Sequence, residues 1–150
     1  MASPTADFVA PQHRELLKRE RAALREACAP GEQLLAIAVA NRRSRPGLLA
    51  VSERCMLFAR LGSGRRKIRV VELPLAQVIA VERFRAWRQP CLVVETDRVR
   101  VTFRYLEGPG AAEGLCAALV AGSGCVVRRR RLLWPIGVPC RVRKLFAAFR

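Results

Sequence analysis

The stretch GLLAVSERCMLFARLG, residues 47–62, holds two apolar runs separated by Ser52-Glu53-Arg54. That break is too short for a linker and too polar for a core, so the runs read as two strands joined by a tight turn. The same rhythm extends in both directions. Leu35, Ile37 and Val39 alternate with Ala36, Ala38 and Ala40 before NRRSRPG interrupts. After LGSGRRK come IRVVEL, AQVIAVERFR, CLVVET and VRVTFRY, punctuated by Pro74, AWRQP and Asp97-Arg98. Short bouts of period two, separated by polar turns, predict seven strands in a small antiparallel barrel or sandwich. In the last strand Val99, Val101, Phe103 and Tyr105 are expected to face inward, with Arg98, Arg100, Thr102 and Arg104 facing water.

Helical character flanks this region. From Pro11 to about Cys28, Pro stands at a first turn, the interior lacks Gly and Pro, and Leu17, Leu24 and Cys28 fall at helical spacing. In EGPGAAEGLCAALVAGSG, Leu115, Cys116 and Leu119 form one apolar stripe, and Gly122-Ser123-Gly124 stops it. The expected order is helix, seven strands, helix and tail.

Charge narrows the partners. The chain has 28 basic residues against 12 acidic ones, a formal +16. Residues 125–150 carry eight basic and no acidic side chains, half of the surplus. Such an imbalance implies attraction to nucleic acid, an anionic membrane or an acidic protein. The six cysteines (28, 55, 91, 116, 125 and 140) never reach CxxC spacing, and His13 lies far from all of them. That argues against zinc. Most sit in apolar runs, as reduced buried thiols do, which points to a reducing compartment. With neither a signal-peptide pattern nor a membrane-length apolar run, the expected location is the cytoplasm or the inner face of a membrane.

GLLAVSERCMLF resembles the second and third strands of bacterial pleckstrin-homology-like (PH/GRAM-type) domains, with Gly47, Ser52, Glu53, Arg54, Leu57 and Phe58 at the matching positions. GEQLL at 31–35 is similar to the Gly-Glu that opens such domains. VELPLAQVIAVE at 71–82 resembles their Pro-Leu-x-x-Ile-x-x-Val segment through Pro74, Leu75, Val78 and Val81. The resemblance implies a mainly β fold with flanking helices: a PH-like seven-stranded antiparallel barrel over 31–121, capped by a C-terminal helix. An N-terminal helical extension would occupy 1–30 and a basic amphipathic tail 122–150. It further implies that one barrel end is open, and that related domains hold lipid phosphates there.

On that fold NRRSRPG, with Arg42, Arg43 and Arg45, and LGSGRRK, with Arg65, Arg66 and Lys67, would share the open end. Arg grips phosphate with paired hydrogen bonds, and the loop glycines admit backbone amides. The third turn, Asp97-Arg98, is too short to wall a deep cup, which implies a flatter electrostatic surface. In RFRAWRQP, Trp87 stands among Arg83, Arg85 and Arg88 and is expected to pack on the N-terminal helix, with insertion at a membrane interface or stacking on a base as the alternatives. The tail alternates Arg128, Arg129, Arg130 and Arg131 with Leu-Leu-Trp (Trp134), and Arg141, Arg143 and Lys144 with Leu145, Phe146 and Phe149. Basic clusters between greasy residues suit a segment lying on an anionic membrane surface. Docking of the tail on the barrel is one rival, and nonspecific grip on nucleic-acid phosphates is the other. No P-loop, His cluster or recognisable acid pair supports catalysis. The expected function is a non-catalytic, cofactor-free module bound peripherally to anionic lipid or an acidic protein, with nucleic-acid binding as the alternative.

Overall fold

The computed structural model describes residues 4–62, 64 and 66–129. All seven expected strands are present: β2 (Leu34–Arg42), β3 (Arg45–Ser52), β4 (Cys55–Arg60), β5 (Val70–Pro74), β6 (Val78–Ala86), β7 (Gln89–Thr96) and β8 (Arg100–Arg104). Two more join them. β1 (Ala6–Asp7) pairs parallel with β2, and β9 (Val126–Arg129) pairs parallel with β6. The sheet order is β5-β4-β3-β2-β8-β7-β6-β9, with β1 beside β2. No pairing joins β5 to β6 or β9 among the described residues, so the sheet is open rather than a closed seven-stranded barrel. β9 covers the backbone edge that β6 would otherwise present.

Alternation along each strand decides which core a side chain enters. On β2, Ala36, Ala38 and Ala40 join the larger core, which α3 (Ala111–Ser123) fills with Ala111, Ala112, Leu115, Cys116 and Leu119. Small residues on that face leave room for the helix inside the curled sheet. Ile37 points the other way, with Leu48, Ala50, Leu57 and Ala59, toward Leu17 and Leu24 of the N-terminal segment. Helix α3 stops at Gly124, whose left-handed backbone (φ 66°) lets its amide donate to Val120 O at 2.8 Å.

Three further sequence expectations are corrected. The N-terminal helix is two helices, α1 (Pro11–Arg14) and α2 (Lys18–Ala27), separated at Leu17, whose φ of −102° and ψ of 15° leave the helical range. On β8 only Phe103 is fully buried, whereas Val99 and Tyr105 are 50% and 51% exposed. Both flank the strand, beyond the part that pairs with β7. Trp87 does not pack on the N-terminal helix. It is 84% exposed at the β6–β7 turn, where Trp87 and Arg88 both have positive φ.

The tight turn at Ser52-Glu53-Arg54 forms as expected, and a buried hydroxyl organises it. Ser52 Oγ accepts from the Cys55 amide at 2.9 Å and the Arg54 amide at 3.3 Å, and donates to Glu32 Oε1. Glu32 Oε2 in turn accepts from the Ala29 amide at 2.8 Å. Two motif residues far apart in sequence thus fix the turn and the entry to the sheet together. The Ser52 hydrogen bond is the largest influence holding the Glu32 carboxyl below its ordinary value of 4.5. A depressed carboxylate stabilises the fold fully above 4.5, and that stabilisation is lost as pH falls through the lower folded value. Ser52→Ala is therefore expected to cost about 1–3 kcal/mol by stranding buried groups, and to flatten the acid side of the stability profile. Urea melts between pH 3 and pH 7 measure both effects.

Candidate functional site

The β2–β3 turn, the loop over 61–69 and the Asp97-Arg98 turn leave the sheet at the same end of their strands, as the antiparallel pairings require. At the β2–β3 turn Arg42 pairs with Arg45, and Arg43 and Ser44 form the tip with φ of 49° and 60°. Non-glycine residues rarely take positive φ in succession, and here two-residue hairpin geometry imposes it. The turn projects Arg43 into solvent.

Arg42 occupies the position after Ala36, Ala38 and Ala40 on the core-facing side of β2, opposite buried Phe103 of β8. Its Nε is buried and has no hydrogen-bond partner among the described residues. Burial first, and then the adjacent Arg43 charge, hold the Arg42 guanidinium below its ordinary value. On β4, Met56 and Phe58 face the same core, so alternation sets Arg60 on that face beyond them, paired across to Gly47. Gly47 is needed there: a Cβ would stand 2.4 Å from Ala59 O and 2.6 Å from Phe58 Cζ. Arg42, Arg45 and Arg60 therefore share the inner rim, above a floor of Phe58 and Phe103 whose rings lie 5.6 Å apart.

The second loop is held from outside. Arg19 of α2 donates to the carbonyls of Gly64 and Arg66, and the Gly62 amide donates to Glu20 Oε1 at 3.2 Å. Arg66 and Lys67 are exposed on it. Among the described residues none of Arg42, Arg43, Arg45, Arg60, Arg66 and Lys67 forms an ion pair. Carboxylates elsewhere are engaged: Asp7 with Arg21 at 3.0 Å, Glu82 with Arg100 at 3.0 Å and Glu113 with Arg83 at 3.2 Å.

Of the residues singled out by sequence, Arg42, Arg43, Arg45, Arg66 and Lys67 thus sit at one end of the sheet. Arg128 does not join them. It lies on β9 and pairs with Glu95 at 2.9 Å. Arg129 is the last residue of β9. Arg65, Arg130, Arg131, Trp134, Arg141, Arg143 and Lys144 lie outside the described residues. Arg60 was missed by sequence reasoning, although two-residue alternation from Met56 and Phe58 carries the signal.

No protein-family model and no curated protein matches the sequence. Among solved structures, the hSac2 domain from the human phosphoinositide phosphatase Sac2 matches with a TM-score of 0.55 at 14% identity, over 87% of this chain and 97% of that one. The fold is PH-like. At that identity the likeness concerns the fold alone. No helix among the described residues is long and apolar enough to cross a membrane.

Proposed function

We propose that this chain is a non-catalytic binding module that associates peripherally with anionic membrane lipids, holding a headgroup phosphate at the Arg42–Arg45–Arg60 rim. The observation that carries this reading is Arg42. A guanidinium with a buried, unpartnered Nε beside a second positive charge is costly, and an arriving anion offsets that cost. Arg presents a fork of donors that fits phosphate oxygens, and Arg45 and Arg60 add two more beside it. The fold neighbour belongs to a phosphoinositide phosphatase, which is compatible with a lipid headgroup as ligand class. The rim is shallow, because the two-residue Asp97-Arg98 turn adds no wall. That favours a flat contact with a charged surface over a deep cup. In this reading the protein works in the cytoplasm at the inner membrane face, and the Arg-rich segment after β9 adds to the attraction.

A non-catalytic role is supported by the chemistry of the titratable groups. Burial pushes the Cys28, Cys55 and Cys116 thiols up, away from the thiolate a nucleophile needs.

Sedimentation with vesicles tests the proposal. The full chain is expected to pellet with vesicles containing phosphatidylglycerol or phosphatidylserine at physiological salt, and to stay in the supernatant with phosphatidylcholine alone. Equal recovery in both supernatants overturns the membrane reading. A gel shift with generic DNA or RNA under the same salt, without vesicle binding, assigns the basic surface to nucleic acid instead.

A further inference from the structure

We propose that the arginine rim holds a lipid whose two phosphodiesters are bridged through glycerol, with one phosphate on the Arg42–Arg45 pair and the other on a second pair, Arg60–Arg69. This rests on the membrane reading above and names its lipid class. Arg69 carries the step, because it turns a rim of three arginines into two cross-strand pairs.

Strand register sets Arg69 on the inner face. On β5, Leu73 packs against the larger core and Val71 stands opposite buried Phe58, so two-residue alternation carries Arg69 to the same side. The β4–β5 register continues one step beyond Ala59 and Val70, where the Arg60 amide donates to Arg69 O at 3.3 Å. Arg60 and Arg69 are therefore directly opposite, as Arg42 and Arg45 are at the β2–β3 hairpin. Like charges directly opposite across two strands destabilise a sheet. Here two such pairs stand on neighbouring hairpins, and Arg69, like Arg60, is exposed and forms no ion pair among the described residues. Glu72 belongs to the other face, opposite Leu57 of the second core, and Asp97 is engaged by Arg98 at 3.8 Å. An anion on each pair relieves a repulsion that these carboxylates leave in place.

Spacing decides which doubly phosphorylated headgroup fits. Arg42 is level with Arg45, and Arg60 is level with Gly47, so the pairs are two strands apart across the sheet and two residues apart along it. At about 4.8 Å per strand and about 3.3 Å per residue, their backbone midpoints lie about 12 Å apart. Gly47 stands between them and puts no side chain in the way. Phosphates on adjacent carbons of one ring are fixed closer together than this, whereas a glycerol bridge lets two phosphodiesters spread. The floor favours a lipid over a free polyanion, since Val71 is 46% exposed beside Arg69 on the inner face, as Phe58 lies beside Arg60. A nucleic-acid backbone needs a continuing track, and this one stops at both ends. β5 is the last strand of the sheet, and the inner residue of β8 opposite Arg42 is Phe103.

Vesicle binding tests the assignment, with half as much cardiolipin as phosphatidylglycerol in phosphatidylcholine, so that the phosphate counts match. The full chain is expected to bind the cardiolipin vesicles on the order of tenfold more tightly, because the second phosphate is tethered beside the first. Arg69→Ala, with unchanged circular dichroism, is expected to bring that ratio near one. Arg85→Ala, beside the β6–β7 turn, is expected to leave it at the parent value. Equal binding of the parent chain to the two vesicles overturns this inference and leaves the rim standing as a seat for one phosphate. An Arg69→Ala ratio that stays at the parent value does the same. Tighter binding to phosphatidylinositol bisphosphate than to cardiolipin at matched charge assigns the pairs to phosphates on one ring and overturns the inference. A chain that pellets with no anionic vesicle overturns both readings, and a gel shift weakened by Arg69→Ala then assigns the pairs to nucleic acid.

Discussion

Replacing Arg42, Arg45 and Arg60 together with alanine is expected to weaken binding to anionic vesicles on the order of 100-fold, with the fold intact. Each basic residue near an anionic surface contributes about 1 kcal/mol, so three contribute about 3 kcal/mol, or two orders of magnitude in affinity. The fold should tolerate the change because Arg45 and Arg60 are exposed and Arg42 gives up an unsatisfied Nε. The control removes the same charge elsewhere. Arg25 lies in the last turn of α2, Arg54 in the β3–β4 turn and Arg85 beside the β6–β7 turn, away from the rim. Alanine at those three positions is expected to cost less than tenfold. Equal losses in the two triple variants would mean that only net charge matters, and the rim would lose its special standing. Raising salt should narrow the gap between parent and rim variant, since exposed charges are screened within about 8 Å at physiological ionic strength.

The rim was half legible in the sequence for a definite reason. Loop arginines stand out by composition, so Arg42, Arg43 and Arg45 are conspicuous in the sequence. Which of them turns inward depends on strand phase, and that phase follows from Ala36, Ala38 and Ala40 only once the core they face is known. Arg60 was missed because it ends an apolar strand and resembles a boundary residue. The strands themselves were legible wherever five or more residues alternated. β1 escaped because two residues hold no period, and their pairing with β2 is decided by distant neighbours. β9 escaped because Val126-Val127-Arg128-Arg129 reads as the start of a charged tail, although its arginines are compatible with an edge strand. The rule that large aromatics prefer burial sets Trp87 against a helix. Turn position overrides that rule, since Trp87 stands at a two-residue tip and is 84% exposed. The Glu32–Ser52 hydrogen bond spans 20 residues and joins two motifs that the sequence shows only separately.

Phe103→Ala is expected to be the most destabilising single substitution considered for this fold, at about 3–5 kcal/mol, the usual range for truncating a buried aromatic. Phe103 is 1% exposed, stands opposite both Leu92 and Arg42 across its strand, and packs its ring on Phe58 at 5.6 Å. Its position adds to the loss. β2 and β8 pair only through Asn41 with Arg104 and Arg42 with Phe103, so this seam joins the β2–β5 half of the sheet to the β6–β8 half. A cavity there loosens the seam and the floor beneath Arg42 at once. For a chain of this size each kcal/mol lowers the melting temperature by roughly 2–4 °C, so a fall of about 10 °C is expected. Val99→Ala supplies the contrast from the same segment. Alternation gave both side chains the same inward direction, but Val99 is 50% exposed, and its truncation should change stability by about 0.5 kcal/mol or less. Calorimetry on the two variants separates them: matching melting temperatures would mean that the core does not close around Phe103. Phe103→Ala should also weaken vesicle binding at temperatures where it remains folded, because Arg42 loses the apolar wall that keeps its Nε out of water. Undiminished binding by the folded variant would detach the rim from the core beneath it, and the desolvation of Arg42 would no longer account for its affinity for an anion.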